Sequence, residues 1–195
     1  MIALVDYGAG NVTSVRKALS AVGADATVTS NPNEIKAASK IIVPGVGHFA
    51  ATEALSGLRP AITAAIAGGV PFLGICVGMQ WMFTGSDESP TTSGLGLIDG
   101  NCTRFPSHVK APHVGWNHLV QVHESRLLRN LPKEVFMYYT HSYRVSRVAE
   151  CVATSDHGGE FAAAVEDDNV FGVQFHPEKS GELGLKILRN FLDVD

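Results

Sequence analysis

The chain has 195 residues, 45% of them hydrophobic and 17% charged, and a net charge of −4. These values suit one domain, residues 1–195, with a sizeable core. They exclude nucleic-acid binding through bulk charge, since no Lys/Arg cluster or stripe offsets the negative balance. The cysteines are Cys76, Cys102 and Cys151, an odd number without CxxC or Cys/His ligand spacing. Neither a disulfide framework nor a metal site is expected, and no cofactor motif appears. No apolar run is long enough to span a bilayer. Met1–Asp6 lacks a basic leader and a cleavage site, so it reads as a strand. A reducing, cytoplasmic setting follows, in which a free thiol would survive.

In chain order, Ile2–Val5 is a continuous apolar run, the pattern of a strand buried on both faces. Tyr7-Gly8-Ala9-Gly10-Asn11 is a turn. Val12, Val15, Leu19 and Val22 share one face of a helix. Ala26–Thr29 is a short strand, and Asn31 caps a brief helix opened by Pro32. Lys40–Val43 is a third strand, halted by Pro44-Gly45. Helical stretches at Phe49–Ser56 and Pro60–Ala67 precede a strand at Pro71–Ile75. Strands alternating with helices predict parallel crossovers, with helices on both sheet faces. The second half changes character. Cys102–Phe105, Trp116–Val122, Val135–Tyr139, Glu150–Thr154, Phe161–Val165 and Val170–Phe175 are short strand candidates with little helix between them. They predict an antiparallel or mixed extension of the sheet. Ser86–Gly96 is rich in turn residues and reads as an exposed loop. Gly181–Leu192 is an amphipathic helix that can turn Leu185, Leu188 and Leu192 to the sheet.

Chemistry concentrates at two strand ends. Gly74-Ile75-Cys76-Val77-Gly78-Met79-Gln80 places a cysteine between small residues at a strand-to-helix turn, the pattern of a nucleophile elbow. There the helix dipole favours thiolate. Gly172-Val173-Gln174-Phe175-His176-Pro177-Glu178 ends a second strand in a histidine and a carboxylate. Together Cys76, His176 and Glu178 read as a nucleophile, a proton shuttle and the group that orients it. An acyl intermediate also needs oxyanion donors. The Val77 amide is one candidate, and Val46, free to rotate between Gly45 and Gly47, is the other. Such a donor is worth ~3–4 kcal/mol, or ~10²–10³ in rate. Taken singly, each residue has a plain alternative: a small core cysteine, a strand-end histidine, a helix-start acid, an ordinary turn. Their common location at the carboxyl ends of parallel strands is what points to a site.

GICVGMQ, PGVGHF and FHPEKS resemble the class I glutamine amidotransferases. DYGAGN (Asp6–Asn11), HVGWN (His113–Asn117) and YYTHSYRV (Tyr138–Val145) extend the likeness to the glutaminase subunits of imidazole glycerol phosphate synthases. The resemblance spans almost the whole chain. It implies an α/β amidotransferase fold, with a mostly parallel central sheet flanked by helices and an antiparallel extension. It also implies that Cys76 forms a glutamyl thioester with glutamine, served by His176 and Glu178. Gly47, Gln80, Ser142 and Tyr143 would hold the glutamine, and the Val46 amide would rotate into the oxyanion hole. Asn11, Trp116, Tyr138 and Lys179 would lie at the interface with a cyclase subunit, a (β/α)₈ barrel. That partner would join the ammonia to a phosphoribulosyl carboxamide nucleotide. Val77 and Val114 stand where the family commonly has leucine and methionine. Alternatives are a glutaminase of another class I amidotransferase, a stand-alone cysteine hydrolase of the same topology, or a non-catalytic module that kept the fold.

Overall fold

The computed structural model describes residues 1–195. A nine-stranded sheet runs through it in the order β2-β1-β3-β4-β12-β11-β10-β7-β8. The parallel part comprises β1 (Ile2–Val5), β2 (Ala26–Thr29), β3 (Lys40–Val43), β4 (Phe72–Ile75) and β12 (Val170–Val173). The antiparallel part comprises β7 (His113–Gln121), β8 (Glu134–His141), β10 (Cys151–Asp156) and β11 (Glu160–Asp167). A small second sheet joins β5 (Gly85–Ser86), β6 (Asn101–Arg104) and β9 (Tyr143–Arg144). The expected parallel sheet with an antiparallel extension is therefore present.

Strand alternation sorts the core into two layers. Leu4, Ile42 and Leu73 face one side, where they meet Val15 and Leu19 of α1 (Val12–Ala21) and Ile187, Leu188 and Phe191 of α5 (Gly181–Leu192). Ala3, Val5, Ile41, Val43 and Phe72 face the other. They meet Ile35 of α2 (Pro32–Lys36) and Ile62 and Ile66 of α3 (Arg59–Ala67). Each fully buried Leu or Ile contributes about 1.5–3 kcal/mol of transfer free energy. The runs look continuous in sequence because both faces are covered.

Several local expectations change. The stretch Phe49–Leu55 is a 3₁₀ helix, in which the Thr52 hydroxyl donates to the Phe49 carbonyl at 2.8 Å. The inward face of α5 is Gly184, Ile187, Leu188, Asn190 and Phe191, with Leu185 and Leu192 only half-buried. Asn190 is held inside because its amide donates to the carbonyls of Leu127 and Arg129, both at 2.9 Å. The segment Ser86–Gly96 is not simply exposed. Ser86, Thr92 and Gly94 are buried, and a Cβ at Gly94 would lie 1.9 Å from the Phe83 carbonyl oxygen. Close backbone packing, not turn propensity, decides its place.

Because β1, β3, β4 and β12 are parallel, their carboxyl ends share one edge of the sheet. The Asp6–Asn11 turn, Pro44–Gly47, Cys76 and the segment Gln174–Glu178 all emerge there, the position at which open α/β sheets place ligand sites.

Candidate active site

β4 delivers Cys76 into a sharp turn with φ 53° and ψ −108°, a backbone region unusual for a residue with a side chain. Such a conformation costs of order 1–3 kcal/mol and persists only where the surroundings impose it. Here the Cys76 amide donates to the Val173 carbonyl at 2.8 Å, and the Gln80 amide donates to the Cys76 carbonyl at 3.0 Å. The short helix α4 (Val77–Gln80) then lies hard against the strands. A Cβ at Gly78 would come 2.0 Å from the Val43 carbonyl oxygen, and one at Gly45 2.5 Å from the Gly78 nitrogen. The glycines of this elbow therefore permit close approach of backbones. α4 is a single turn, so the dipole expected to favour thiolate is that of one turn only.

β12 delivers the second group. His176 is extended, and Pro177–Lys179 forms a 3₁₀ turn that folds Glu178 back onto it. The Nδ1–H of His176 donates to Oε1 of Glu178 at 2.8 Å, with both side chains 1% exposed. That bond leaves Nε2 as the working nitrogen, and it has no hydrogen-bond partner of good geometry. Burial would lower the pKa of His176. The charge and hydrogen bonding of Cys76, then those of Glu178, outweigh burial and raise it to about 10. The imidazolium is the form of His176 that this environment favours.

The Cys76 thiol donates to the Thr140 carbonyl at 3.8 Å and accepts from Nε2 of Gln174 at 3.6 Å. Oε1 of Gln174 accepts from Nε2 of Gln80 at 3.0 Å, and the same Nε2 donates to the Tyr143 carbonyl at 2.9 Å. Both protons of the Gln80 amide are thus used, which leaves its oxygen as the free acceptor. A pocket of about 180 Å³ opens over Cys76, lined also by Gly47, Val77, Gln80, Ser142 and Tyr143. This is below the roughly 300–1,000 Å³ of pockets for drug-sized ligands and suits one small molecule. Glu88, Thr140 and His141 complete much of the wall. Val46 sits beside Gly47 but does not line the pocket, and its N–H has no hydrogen-bond partner within the chain. Val77 is the first residue of α4, where an N–H has no intrahelical acceptor.

Sequence reasoning missed Glu88 and Gln174. Glu88 lies in the segment read as exposed, and its Oε2 accepts from the Phe49 amide at 2.8 Å. Gln174 carried a usable signal: a polar side chain in an otherwise apolar strand end, two residues before His176.

Of the proposed interface residues, Trp116, Tyr138 and Lys179 come together. The Trp116 and Tyr138 rings are 6.1 Å apart, and the Lys179 ammonium lies 5.7 Å from the Tyr138 ring centre. Asn11 precedes α1 and makes no side-chain cap bond. Trp116 is 56% exposed, and Val114 and Phe136, which no motif singled out for this role, share its outer face of β7–β8.

The model for glutamine amidotransferase class I matches residues 3–194. An imidazole glycerol phosphate synthase subunit HisH from Methanothermobacter thermautotrophicus is 47% identical, over 100% of this chain and 98% of the relative. A HisH from Desulfitobacterium hafniense is 48% identical, over 98% of this chain and 93% of the relative. Among solved structures, PurLQS from Thermotoga maritima superposes with a TM-score of 0.78 at 22% identity, over 98% of this chain and 97% of that one. That likeness supports the fold alone. The matched span and the full-length identity together establish that the chain belongs to the class I glutamine amidotransferase family, in its HisH branch.

Proposed function

We propose that this chain hydrolyses glutamine as the glutaminase subunit of an imidazole glycerol phosphate synthase. The observation that carries the reading is a buried His176–Glu178 pair at 2.8 Å, coupled in charge to a cysteine strained into an elbow at the pocket floor. In this reading the Cys76 thiolate attacks the side-chain amide carbon of glutamine. The amides of Val77 and, after rotation, Val46 hold the oxyanion. The His176 imidazolium protonates the amide nitrogen of the tetrahedral intermediate, which departs as neutral ammonia, and the remaining glutamyl thioester is cleaved by water with His176 as base. Gly47, Gln80, Ser142 and Tyr143 position the glutamine. Glu88, a carboxylate on the pocket wall, is suited to the α-ammonium group.

Ammonium is not a nucleophile, so the ammonia must reach its acceptor under cover from water. The outer face carrying Trp116, Tyr138 and Lys179, with Asn11, is assigned to a cyclase (β/α)₈ barrel that yields imidazole glycerol phosphate and aminoimidazole carboxamide ribonucleotide in histidine biosynthesis. The unpartnered Val46 N–H supports a turn that stays unproductive until the partner is engaged. Residues 1–195 form one domain in this reading, supported by the continuous sheet from β1 to β12. No helix is long and apolar enough to cross a membrane. A cytoplasmic setting is part of the proposal, in keeping with the free buried thiols.

The test is to add glutamine to the purified chain, alone and with a cyclase barrel and its nucleotide, and to follow glutamate and imidazole glycerol phosphate together. Glutamate release should rise on partner binding, and Cys76→Ala should abolish it, by about 10⁴-fold or more, while association persists. Ammonia release that survives in Cys76→Ala would remove the nucleophile assignment.

A further inference from the structure

The Asp6–Asn11 turn meets the Pro44–Gly47 turn at a single carbonyl. The hydroxyl of Tyr7 donates to the Pro44 oxygen at 2.9 Å, and the Tyr7 side chain lies in the core at 9% exposure. Gly10, at φ +99°, backs onto the same oxygen, and a Cβ there would sit 3.1 Å from it. From the other side, Gly45 is wedged against the Val77–Gly78 peptide, with 2.5 Å between a notional Cβ and the Gly78 nitrogen. Pro44 and Gly45 are thus clamped between the N-terminal turn and the elbow. The next residues are not. The amides of Val46 and Gly47 donate to nothing in the chain, and Gly47, at φ +92°, has open space where a side chain would project. The turn has a fixed base and a free tip.

We propose that Tyr7 is a positioning residue for glutamine hydrolysis: its hydroxyl pins the Pro44 carbonyl, so that the Val46 peptide rotates about a fixed pivot and its N–H meets the oxyanion formed at Cys76. The proposal rests on the reading of Cys76 as nucleophile and Val46 as oxyanion donor. A pivot matters because an oxyanion donor acts only within about 2.7–3.1 Å of its target, and a misplacement of about 1 Å can cost ~10²-fold. Burial, followed by the nearby Cys76 charge, pushes the phenol pKa far above its ordinary value. The hydroxyl therefore remains a protonated donor across the working pH range. The same turn ends at Asn11, on the proposed partner side, so a force applied there would reach the oxyanion turn through this bond.

Tyr7→Phe keeps the ring that fills the core and removes only the hydroxyl. Two rates on the variant, with and without the cyclase barrel, separate the possibilities. Glutamine hydrolysis needs the oxyanion donor, whereas alkylation of Cys76 by iodoacetamide needs the thiolate alone. Cys76 lines the pocket, whereas Cys102 and Cys151 are fully buried with thiol pKa values raised by that burial, so they do not compete. The expected result is a fall in kcat of about tenfold, with KM and the alkylation rate each within about twofold of the parent. An unchanged kcat would overturn the proposal. So would alkylation falling in step with hydrolysis, since that is damage to the elbow as a whole. Cys76→Ala run in parallel tests the underlying reading: hydrolysis that persists in it removes the nucleophile whatever Tyr7 does.

Discussion

Two opposing forces act on the His176 imidazole. Burial favours the neutral ring, and the neighbouring Cys76 and Glu178 favour the charged one, leaving its pKa raised to about 10. The cation is the useful form for expelling ammonia, because a neutral ring has no proton to spare after the thiolate has attacked. Glu178 is 1% exposed and meets His176 at 2.8 Å, so its contribution is little screened by solvent. Glu178→Gln keeps the shape and removes the charge. The imidazolium loses a stabilising partner, so the pKa of His176 moves down. We expect kcat to fall by ~10²–10⁴ and the alkaline limb of the rate–pH profile to shift to lower pH. A profile measured from pH about 6 to 10 decides this. An alkaline limb that stays in place would mean that Glu178 does not support the ring's charge.

The elbow works because two elements approach more closely than side chains allow. Gly78→Ala forces a methyl toward the Val43 carbonyl, 2.0 Å away, and neither α4 nor β3 can yield cheaply. Overpacking of this kind costs about 1–3 kcal/mol or more, read as a lower urea midpoint. Gly47→Ala makes the contrasting case. It meets no neighbour, so its cost of about 1–2 kcal/mol comes only from φ +92°. Its larger effect should be on kcat, because the free tip is stiffened. Equal stability losses with unchanged kcat in Gly47→Ala would argue against a mobile tip. The elements around this elbow were legible in sequence because Ile2–Val5, Ile41–Val43 and Phe72–Ile75 are uninterrupted by charged or polar side chains, a pattern that follows directly from burial on both faces. Cys76, His176 and Glu178 were legible because they follow such strands, and Gln80 because it lies on the helix that leaves the elbow. Glu88 and the inward face of α5 were not. Each depends on a tertiary contact without a local pattern: Gly94 tucked under the Phe83 carbonyl, and Gly184 against the Pro177 carbonyl, 2.0 Å from a notional Cβ.

At the scale of the whole molecule, the sheet presents an apolar face at one end and buries a histidine cluster beneath it. Val114, Trp116 and Phe136 are 57%, 56% and 50% exposed on the outer face of β7–β8. Trp116→Ala should weaken cyclase association by about 2 kcal/mol, roughly thirtyfold in Kd, with folding unaffected because the ring lies outside the core. On the inner face, His113 and His141 pair across the same strands, Nδ1 to Nε2 at 3.1 Å, while His113 stacks on His157 at 4.2 Å. The Nδ1–H of His141 donates to the Tyr143 carbonyl at 2.9 Å, and the Asn117 amide supplies a proton to Nε2 of His113 at 3.2 Å. Every nitrogen in this chain of bonds is satisfied with both rings neutral. Burial, then the charge of His157, lowers the pKa of His113 to about 4. Burial, only partly offset by the bond to Tyr143, lowers that of His141 to about 3. An unfolded histidine takes up its proton near pH 6.5. Below that pH the unfolded chain binds protons that the folded chain refuses, so stability is full above about 6.5 and declines as pH falls through the folded values. His176 has the opposite sign: its contribution is full below about pH 6.5 and is lost as pH rises toward about 10. Urea midpoints between about pH 4 and 6 should therefore climb with pH, and His141→Asn should remove roughly 1 kcal/mol per pH unit from that slope by deleting one refused proton. A slope identical to the parent's would show that His141 takes up its proton in the folded chain as readily as in the unfolded one.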